Sequence, residues 1–521
     1  MKKSFLLTVI ISCLAMFANS NQLVERWGVF ELSLKAKPTG NPFIGIDLSA
    51  EFTNGTKSYN PEGFYDGDGI YKIRFMPSDV GVWTYETHSN FAELNGQKGE
   101  FTCIAASAGN HGPIRVSNTY HFAYEDGAPY LPFGTTIYEW AFQSEERKKQ
   151  TLKTLKNSPF NKARMLAVPP FSEHYQTGPD ALRNFPYEGT PPQNWDFSRF
   201  NPQFFRDLEK CVIDLQNIGV TADLILFRPY DKGKWGFDTM TPECNKQFTR
   251  YMVARFGAFR NIWWSLCNEN SFIRHMTDQD WDELFQVVEK YDPYGHMRSI
   301  HNAGRIYDYN KPWVTHVSLQ YYNAVRVPGV SALLRDLYHK PIIQDEINYE
   351  GNISARWGQL SGEEMTYRFW NAYIGGAYAT HGEAKEGGWI SNGGTLTGTS
   401  PARIAFLRKI IESCSKEGID PIDYYYELNM AGKLGECYLI YFGYDSIREW
   451  SVKLPDNELK EGMVFKAEII DTWNMTITPV NQTFRLKQLN KYSFVDEKGQ
   501  SIHMPGKPYC ALRLTLIKVL L

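Results

Sequence analysis

The sequence predicts an α/β fold, a (β/α)8 TIM barrel flanked by N-terminal and C-terminal β-sandwich domains, and three observations predict it. The 521 residues are too many for one hydrophobic core, which stops growing at about 250–300 residues. The middle of the chain, residues 129–414, alternates short apolar β-rich runs with helical patterns. On either side the texture is of strands alone, punctuated by Gly, Asn and Asp.

Residues 1–20 read as an export signal peptide. Lys2 and Lys3 precede an apolar run from Phe5 to Phe17, and Ala18-Asn19-Ser20 supplies small residues for cleavage. The run is too short to span a bilayer, and no stretch of 18 apolar residues follows it. A secreted or periplasmic location is therefore expected. Ile10-Ile11-Ser12-Cys13 offers a competing reading, a lipid anchor at Cys13, against which stands the apolar N-terminus that Leu14 to Phe17 would then form. Loss of two lysines with the signal peptide takes the net charge from −3 to −5, which argues against nucleic acid or an anionic membrane surface as partner. The remaining cysteines are scattered, without C-x-x-C, and read as isolated thiols with at most one disulfide.

Residues 21–117 read as the N-terminal β-sandwich, with strands at 27–34, 70–76 and 82–87. Within it Asp66-Gly67-Asp68-Gly69 lacks the further ligands of a calcium loop and is read as a hairpin turn. Residues 118–418 form the barrel. Its strands are expected at 131–136, 162–168, 222–227, 262–266, 298–301, 315–320, 342–344 and 376–380. Helices are expected at 145–156, 202–218, 245–259, 279–291, 330–339, 363–373 and 401–414, with none convincing after the fifth strand. A doubly wound open sheet is the alternative, but no Gly-rich phosphate turn follows the first strand. Residues 419–521 form the C-terminal β-sandwich, and the absence of a low-complexity linker predicts that the three parts pack tightly.

Functional side chains of such a barrel stand at the C-terminal ends of its strands. Two of those ends carry carboxylates: the fourth strand runs into Asn268-Glu269-Asn270, and the seventh ends in Asp345-Glu346. One protonated and one ionised carboxyl facing each other across the barrel mouth are what glycosidic bond cleavage requires. Aromatic residues reach 15%, which suits a protein that presents flat apolar faces to sugar rings, although core packing absorbs such residues equally well.

The ordered motifs resemble those of the clan A glycoside hydrolases, with Asn-Glu after strand four and Glu after strand seven. The resemblance extends over the mature chain to glycosidase-like proteins with an N-terminal sandwich, a clan A-like barrel and a C-terminal sandwich. It is carried by Phe64 to Gly69 with Arg74 to Pro77, Trp263 to Glu269, Asp345 to Asn352, and Gly393 to Arg403. It implies that Glu269 is the acid/base, Glu346 the nucleophile of a retaining double displacement, and Asn268 the holder of the sugar 2-hydroxyl. It also implies an Arg beside the nucleophile, here Arg164 (a structural ion pair being the other reading), and a Tyr bonded to it. That Tyr is Tyr321 or Tyr322, with Tyr321 preferred. The leaving group would be equatorial, of the β-D-gluco/galacto or α-L-arabino kind.

Other strand ends supply candidate substrate-binding residues: His301 after strand five, His381, Glu383 and Trp389 after strand eight, and Tyr138 and Trp140 after strand one. Glu139 competes as a catalytic acid. Asp345 competes with Glu346, but successive strand residues point to opposite faces, so one of the two faces substrate. The expected reaction is hydrolysis of a plant or algal poly- or oligosaccharide, with the loop 169–199 closing one end of the cleft and favouring exo-action. A non-catalytic carbohydrate-binding protein of a polysaccharide-uptake system is the alternative. A metal-dependent hydrolase would need an H-x-H on strand one or an H-E-x-x-H, and neither is present. No metal or other cofactor is expected.

Overall fold

The computed structural model describes residues 22–37, 40–169, 185–190, 194–231, 235–321, 325–385, 388–423 and 429–518. Its centre is the expected barrel. The strands are β1 (Phe133–Thr136), β2 (Lys162–Leu166), β3 (Thr221–Phe227), β4 (Ile262–Cys267), β5 (Arg298–Ser299), β6 (Val317–Leu319), β7 (Ile342–Gln344) and β8 (Tyr378–His381). Each pairs in parallel with its neighbours, β8 pairs with β1, and a bridge between His301 and Ser318 joins β5 to β6. Every residue of β2, β3 and β4 is buried, including Lys162 and Arg164 of β2 and Asp223 of β3, which alternate with apolar neighbours.

Helices pack outside the strands, and local capping sets their ends. The helix expected at 245–259 starts at Pro242 instead, because Thr241 accepts the Cys244 N–H and Pro242 takes the first turn, and it stops at Gly257. Thr277 and Asp280 form a capping box at the start of Asp278–Tyr291. As expected, no helix follows β5: the connection is held by Tyr307 and Tyr309, both buried, with Tyr309 donating to the Ile300 carbonyl at 2.8 Å. Residues 170–184 of the long loop after β2 lie outside the described residues, but its end forms a hairpin of Tyr187–Thr190 and Asn194–Phe200.

The barrel interior is charged. Lys162 reaches Asp223 at 2.6 Å and Asp345 at 2.7 Å, while Arg164 meets Asp345 at 3.1 Å. Ser318 and Thr380 donate to the same carboxylate at 2.6 and 2.8 Å. Beneath this layer the N-terminal mouth is plugged by Phe122, whose ring lies 5.1 Å from Trp263 and 5.6 Å from Tyr378.

The N-terminal domain stacks a five-stranded sheet on a three-stranded one around Phe30, Phe52, Phe75, Trp83 and Phe101. Asp66-Gly67-Asp68-Gly69 turns the chain between two strands of the smaller sheet, with left-handed backbone at Gly67, Asp68 and Gly69. Asp66 pairs with Arg255 of the barrel at 2.7 Å. Arg74 adds a buried pair with Glu209 at 2.6 Å, so the interface is locked by charges that would be costly to separate. The C-terminal domain is an antiparallel β-structure, a half-barrel or sandwich. A disulfide between Cys414 and Cys437 and a stack of Trp370 on Tyr441 at 5.0 Å tie it to the barrel. No helix among the described residues is long and apolar enough to cross a membrane.

Candidate active site

Glu269 and Glu346 both stand at the C-terminal mouth. β4 ends at Cys267, and Asn268 continues the ladder by donating its N–H to the Phe227 carbonyl at 3.0 Å. Glu269 then turns out of the strand direction in the left-handed region, φ 50° and ψ 50°. That conformation is uncommon for a non-glycine residue and is held by the bonds on either side of it.

On the opposite wall the chain past β7 divides its two acids as alternation requires. Asp345 points into the barrel, onto Lys162 and Arg164, and Glu346 points to the mouth. Asp345 is thereby spent on the interior charge layer and is held far below the usual carboxylate range by its two cations and the Ser318 and Thr380 hydroxyls.

A short hydrogen-bond chain links the two glutamates. Tyr138 donates to Glu346 Oε1, and the Asn268 amide approaches the same oxygen at 3.4 Å. The Asn268 amide also donates to the Tyr230 hydroxyl at 2.6 Å, and Tyr230 in turn donates to Glu269 Oε2. Arg164 fixes the amide from behind, donating to Asn268 Oδ1 at 2.6 Å.

Burial pushes both carboxyls up, with unequal opposition. At Glu346 the Arg164 charge and donors from Tyr138, Tyr349 and Asn268 favour the ionised form. At Glu269 the neighbouring Glu346 charge adds to burial and outweighs the Tyr230 and Gln320 donors, leaving it at about 7. Glu269 is thus the one poised to carry a proton near neutrality.

Several expected binding residues stand elsewhere. His381 is fully buried and faces outward from β8, stacked on Phe160 at 4.8 Å, because Thr380 takes the inward phase. Glu383 receives the Thr397 and Gly398 amides at 2.8 and 2.7 Å and pins that loop. Trp389 is buried and donates to Thr135 at 2.8 Å, and Trp140 is buried in the core. His301 is buried at the bridge to Ser318, level with the charge layer, and burial with the nearby Arg164 and Lys162 holds it well below its usual range. Arg164 is fully buried, donates to Asn268 Oδ1, and sets its charge near Glu346. Tyr321 is 38% exposed and lies off the bond chain, Tyr322 lies outside the described residues, and among the described residues Tyr138 donates to Glu346.

Tyr230, Gln320 and Tyr349 went unnoticed in the sequence. All three follow strand ends, the one signal that could have found them. Tyr230→Phe should raise the Glu269 pKa, because the lost O–H favours the ionised form. The alkaline limb of the pH–rate profile is expected to move up by as much as about one unit, with kcat falling several-fold as Asn268 loses its anchor.

Glu139, one residue past Tyr138, is 2% exposed, and no hydrogen bond reaches its Oε1. Burial raises it to about 8 against the Arg228 charge. A carboxyl raised in the folded state loses stability as pH climbs from its ordinary value, 4.5, to about 8. Glu139→Gln should therefore raise stability at pH 8 by on the order of a few kcal/mol, read as a higher thermal midpoint, and leave it unchanged at pH 4. Turnover within about tenfold of the parent enzyme would exclude Glu139 as proton donor.

Among the described residues no group of three or more His, Cys, Asp or Glu is placed to hold a metal ion. The family described as "Apiosidase-like, catalytic domain" matches residues 116–388. Two domains of unknown function, DUF5060 and DUF5605, match residues 23–90 and 426–515. A Bacteroides vulgatus protein assigned to the glycoside hydrolases is 41% identical over 95% of this chain and 100% of its own, with a TM-score of 0.91. A family 5 glycoside hydrolase of the same organism shares the fold at 11% identity and a TM-score of 0.56, over 78% of this chain and 93% of its own. No curated protein matches.

Proposed function

The chain belongs to the family of the apiosidase-like catalytic domain, and on that premise we propose that it is a retaining glycoside hydrolase with Glu269 as acid/base and Glu346 as nucleophile. One observation supports this reading: two glutamates at the mouth are joined through Asn268 and Tyr230, and burial raises both, but at Glu346 the Arg164 charge and three donors oppose it while at Glu269 the Glu346 charge adds to it.

In the first step the Glu269 proton passes to the glycosidic oxygen as its bond to the anomeric carbon breaks. A Glu346 oxygen bonds to that carbon from the opposite face. In the second, Glu269 takes a proton from water, whose oxygen displaces Glu346 and restores the original configuration. Asn268 holds the 2-hydroxyl of the reacting sugar, and Tyr138 steadies the attacking carboxylate between turnovers.

The substrate is a terminal sugar on a plant or algal polysaccharide. The family's description is the support for trying apiosides among the first candidates, and the hairpin Tyr187–Thr190 with Asn194–Phe200 supports closure of one end of the cleft and exo-action. The basic and apolar residues 2–17 support export to where such polymers are met. The test is a panel of 4-nitrophenyl glycosides (β-D-gluco, β-D-galacto, α-L-arabino and apiosyl) in water with methanol. Proton NMR should show the first-formed methyl glycoside with the configuration of the substrate. An inverted product would overturn the retaining step. Sugar binding without turnover on any of them would favour the carbohydrate-binding alternative.

A further inference from the structure

Phe272 is 56% exposed, and among the described residues no other phenylalanine and no tryptophan stands exposed. Its ring stacks on no other ring and carries no cation among those residues. A single exposed apolar side chain is ordinary on a protein surface, and position is what sets this one apart. It ends the one-turn helix Asn270–Phe272 that follows Glu269, and its N–H returns to the Glu269 carbonyl at 3.0 Å. The turn is fixed from both sides. The Asn270 N–H bonds the His301 carbonyl at 3.0 Å, and Ile273, 4% exposed, is packed into the barrel core. Ile273 thus anchors the turn while Phe272 stays outside. The segment after β5 closes on the same turn, where the Gly304 N–H meets the Ser271 hydroxyl at 3.4 Å and Arg305 pairs with Asp278 at 2.7 Å. That segment adds Ile306, 39% exposed, to this part of the rim.

The place of this bare ring relative to the chemistry decides what would meet it. A general acid faces the oxygen of the leaving group, and the nucleophile attacks from the other side of the anomeric carbon. The loop after β4 therefore borders the unit that departs, not the sugar that Glu346 captures. In a polysaccharide the departing unit is itself a sugar, with C–H groups on its faces and hydroxyls at its edge. A flat apolar ring held rigidly within one turn of the proton donor matches such a face, and it loses little conformational freedom on contact.

We propose that Phe272 is the platform of a leaving-group subsite, its ring taking the C–H face of the sugar on the far side of the cleaved bond and so helping to select the linkage that is cut. The proposal rests on the reading of Glu269 as proton donor in a retaining reaction. In such a reaction the same subsite receives the acceptor that intercepts the glycosyl-enzyme. The donor for the test is the glycosyl fluoride of the sugar selected by the aryl glycoside panel, because fluoride brings no ring to the subsite. The acceptors are methyl β-D-galactopyranoside, methyl β-D-xylopyranoside and methyl α-L-rhamnopyranoside, with methanol as the acceptor too small to stack. The parent enzyme should transfer to at least one of these sugars. Phe272→Ala should lower the ratio of transfer to hydrolysis with that sugar about tenfold and hold the ratio with methanol within about twofold. Phe272→Trp, which keeps a flat ring, should keep the sugar ratio close to the parent's. Each ratio is independent of how much of the enzyme is folded. Undiminished sugar transfer by Phe272→Ala, an equal fall with methanol, no sugar transfer by the parent, or loss of all turnover in both variants overturns the platform. A parent enzyme that leaves the fluoride and every aryl glycoside uncleaved overturns the hydrolase reading instead.

Discussion

Glu346→Ala is expected to lower kcat on an activated aryl glycoside by about five orders of magnitude while leaving the protein folded. The carboxylate stands at the mouth, where burial works against its charge, and its partners Tyr138 and Asn268 keep other bonds, to Tyr349 and to Tyr230 and Arg164. Azide is small enough to enter the vacated space and attack the anomeric carbon from the nucleophile's side. Restored turnover should therefore yield a glycosyl azide of inverted configuration, read by NMR. Asp345→Ala is the contrasting case. It would strip Arg164 of its acidic partner and leave Lys162 with Asp223 alone inside the barrel, a loss on the order of 3–5 kcal/mol, and azide should not restore activity. An unimpaired Glu346→Ala enzyme refutes the assignment, and azide rescue of Asp345→Ala would transfer the role to its neighbour.

That contrast also marks how far the sequence could be read. The eight barrel strands were legible because strands buried on both faces leave apolar runs, and turn residues fence them. Glu269 and Glu346 were legible because polar groups directly after such runs reach the mouth. The phase of the side chains was harder. Alternation separates Asp345 from Glu346 once one residue's direction is known, and the same alternation turns His381 outward behind Thr380. A single strand read alone does not supply that direction. Glu383 and Trp389 are polar or amphipathic residues near the mouth that the fold uses to pin its own loops, to Gly398 and Thr135. Tyr230 and Gln320 gain their meaning only when barrel closure turns the residues after β3 and β6 toward Glu269 at the end of β4. No local pattern in the chain records that meeting.

Glu269→Ala is expected to act differently on different substrates, and the difference identifies the residue's role. Glycosides with weakly acidic leaving groups need the Glu269 proton, so their kcat/KM should fall by about 10^2–10^4. A dinitrophenyl glycoside leaves without protonation. Its kcat/KM should barely change, but kcat should drop because no base activates water against the glycosyl-enzyme, and KM should fall with it as that intermediate accumulates. Azide needs no base. It should restore kcat and give a glycosyl azide of retained configuration, opposite to the product from Glu346→Ala. The parent enzyme should lose activity as pH rises through about 7, where Glu269 gives up its proton, and this alkaline limb should vanish in the variant. A limb that persists near 8 would point to Glu139, the other buried carboxyl raised into that range. Opposite azide stereochemistry at the two positions cannot arise from a lost fold or a general electrostatic change. It requires one carboxyl to stand on each face of the anomeric carbon, which is the arrangement proposed for β4 and β7.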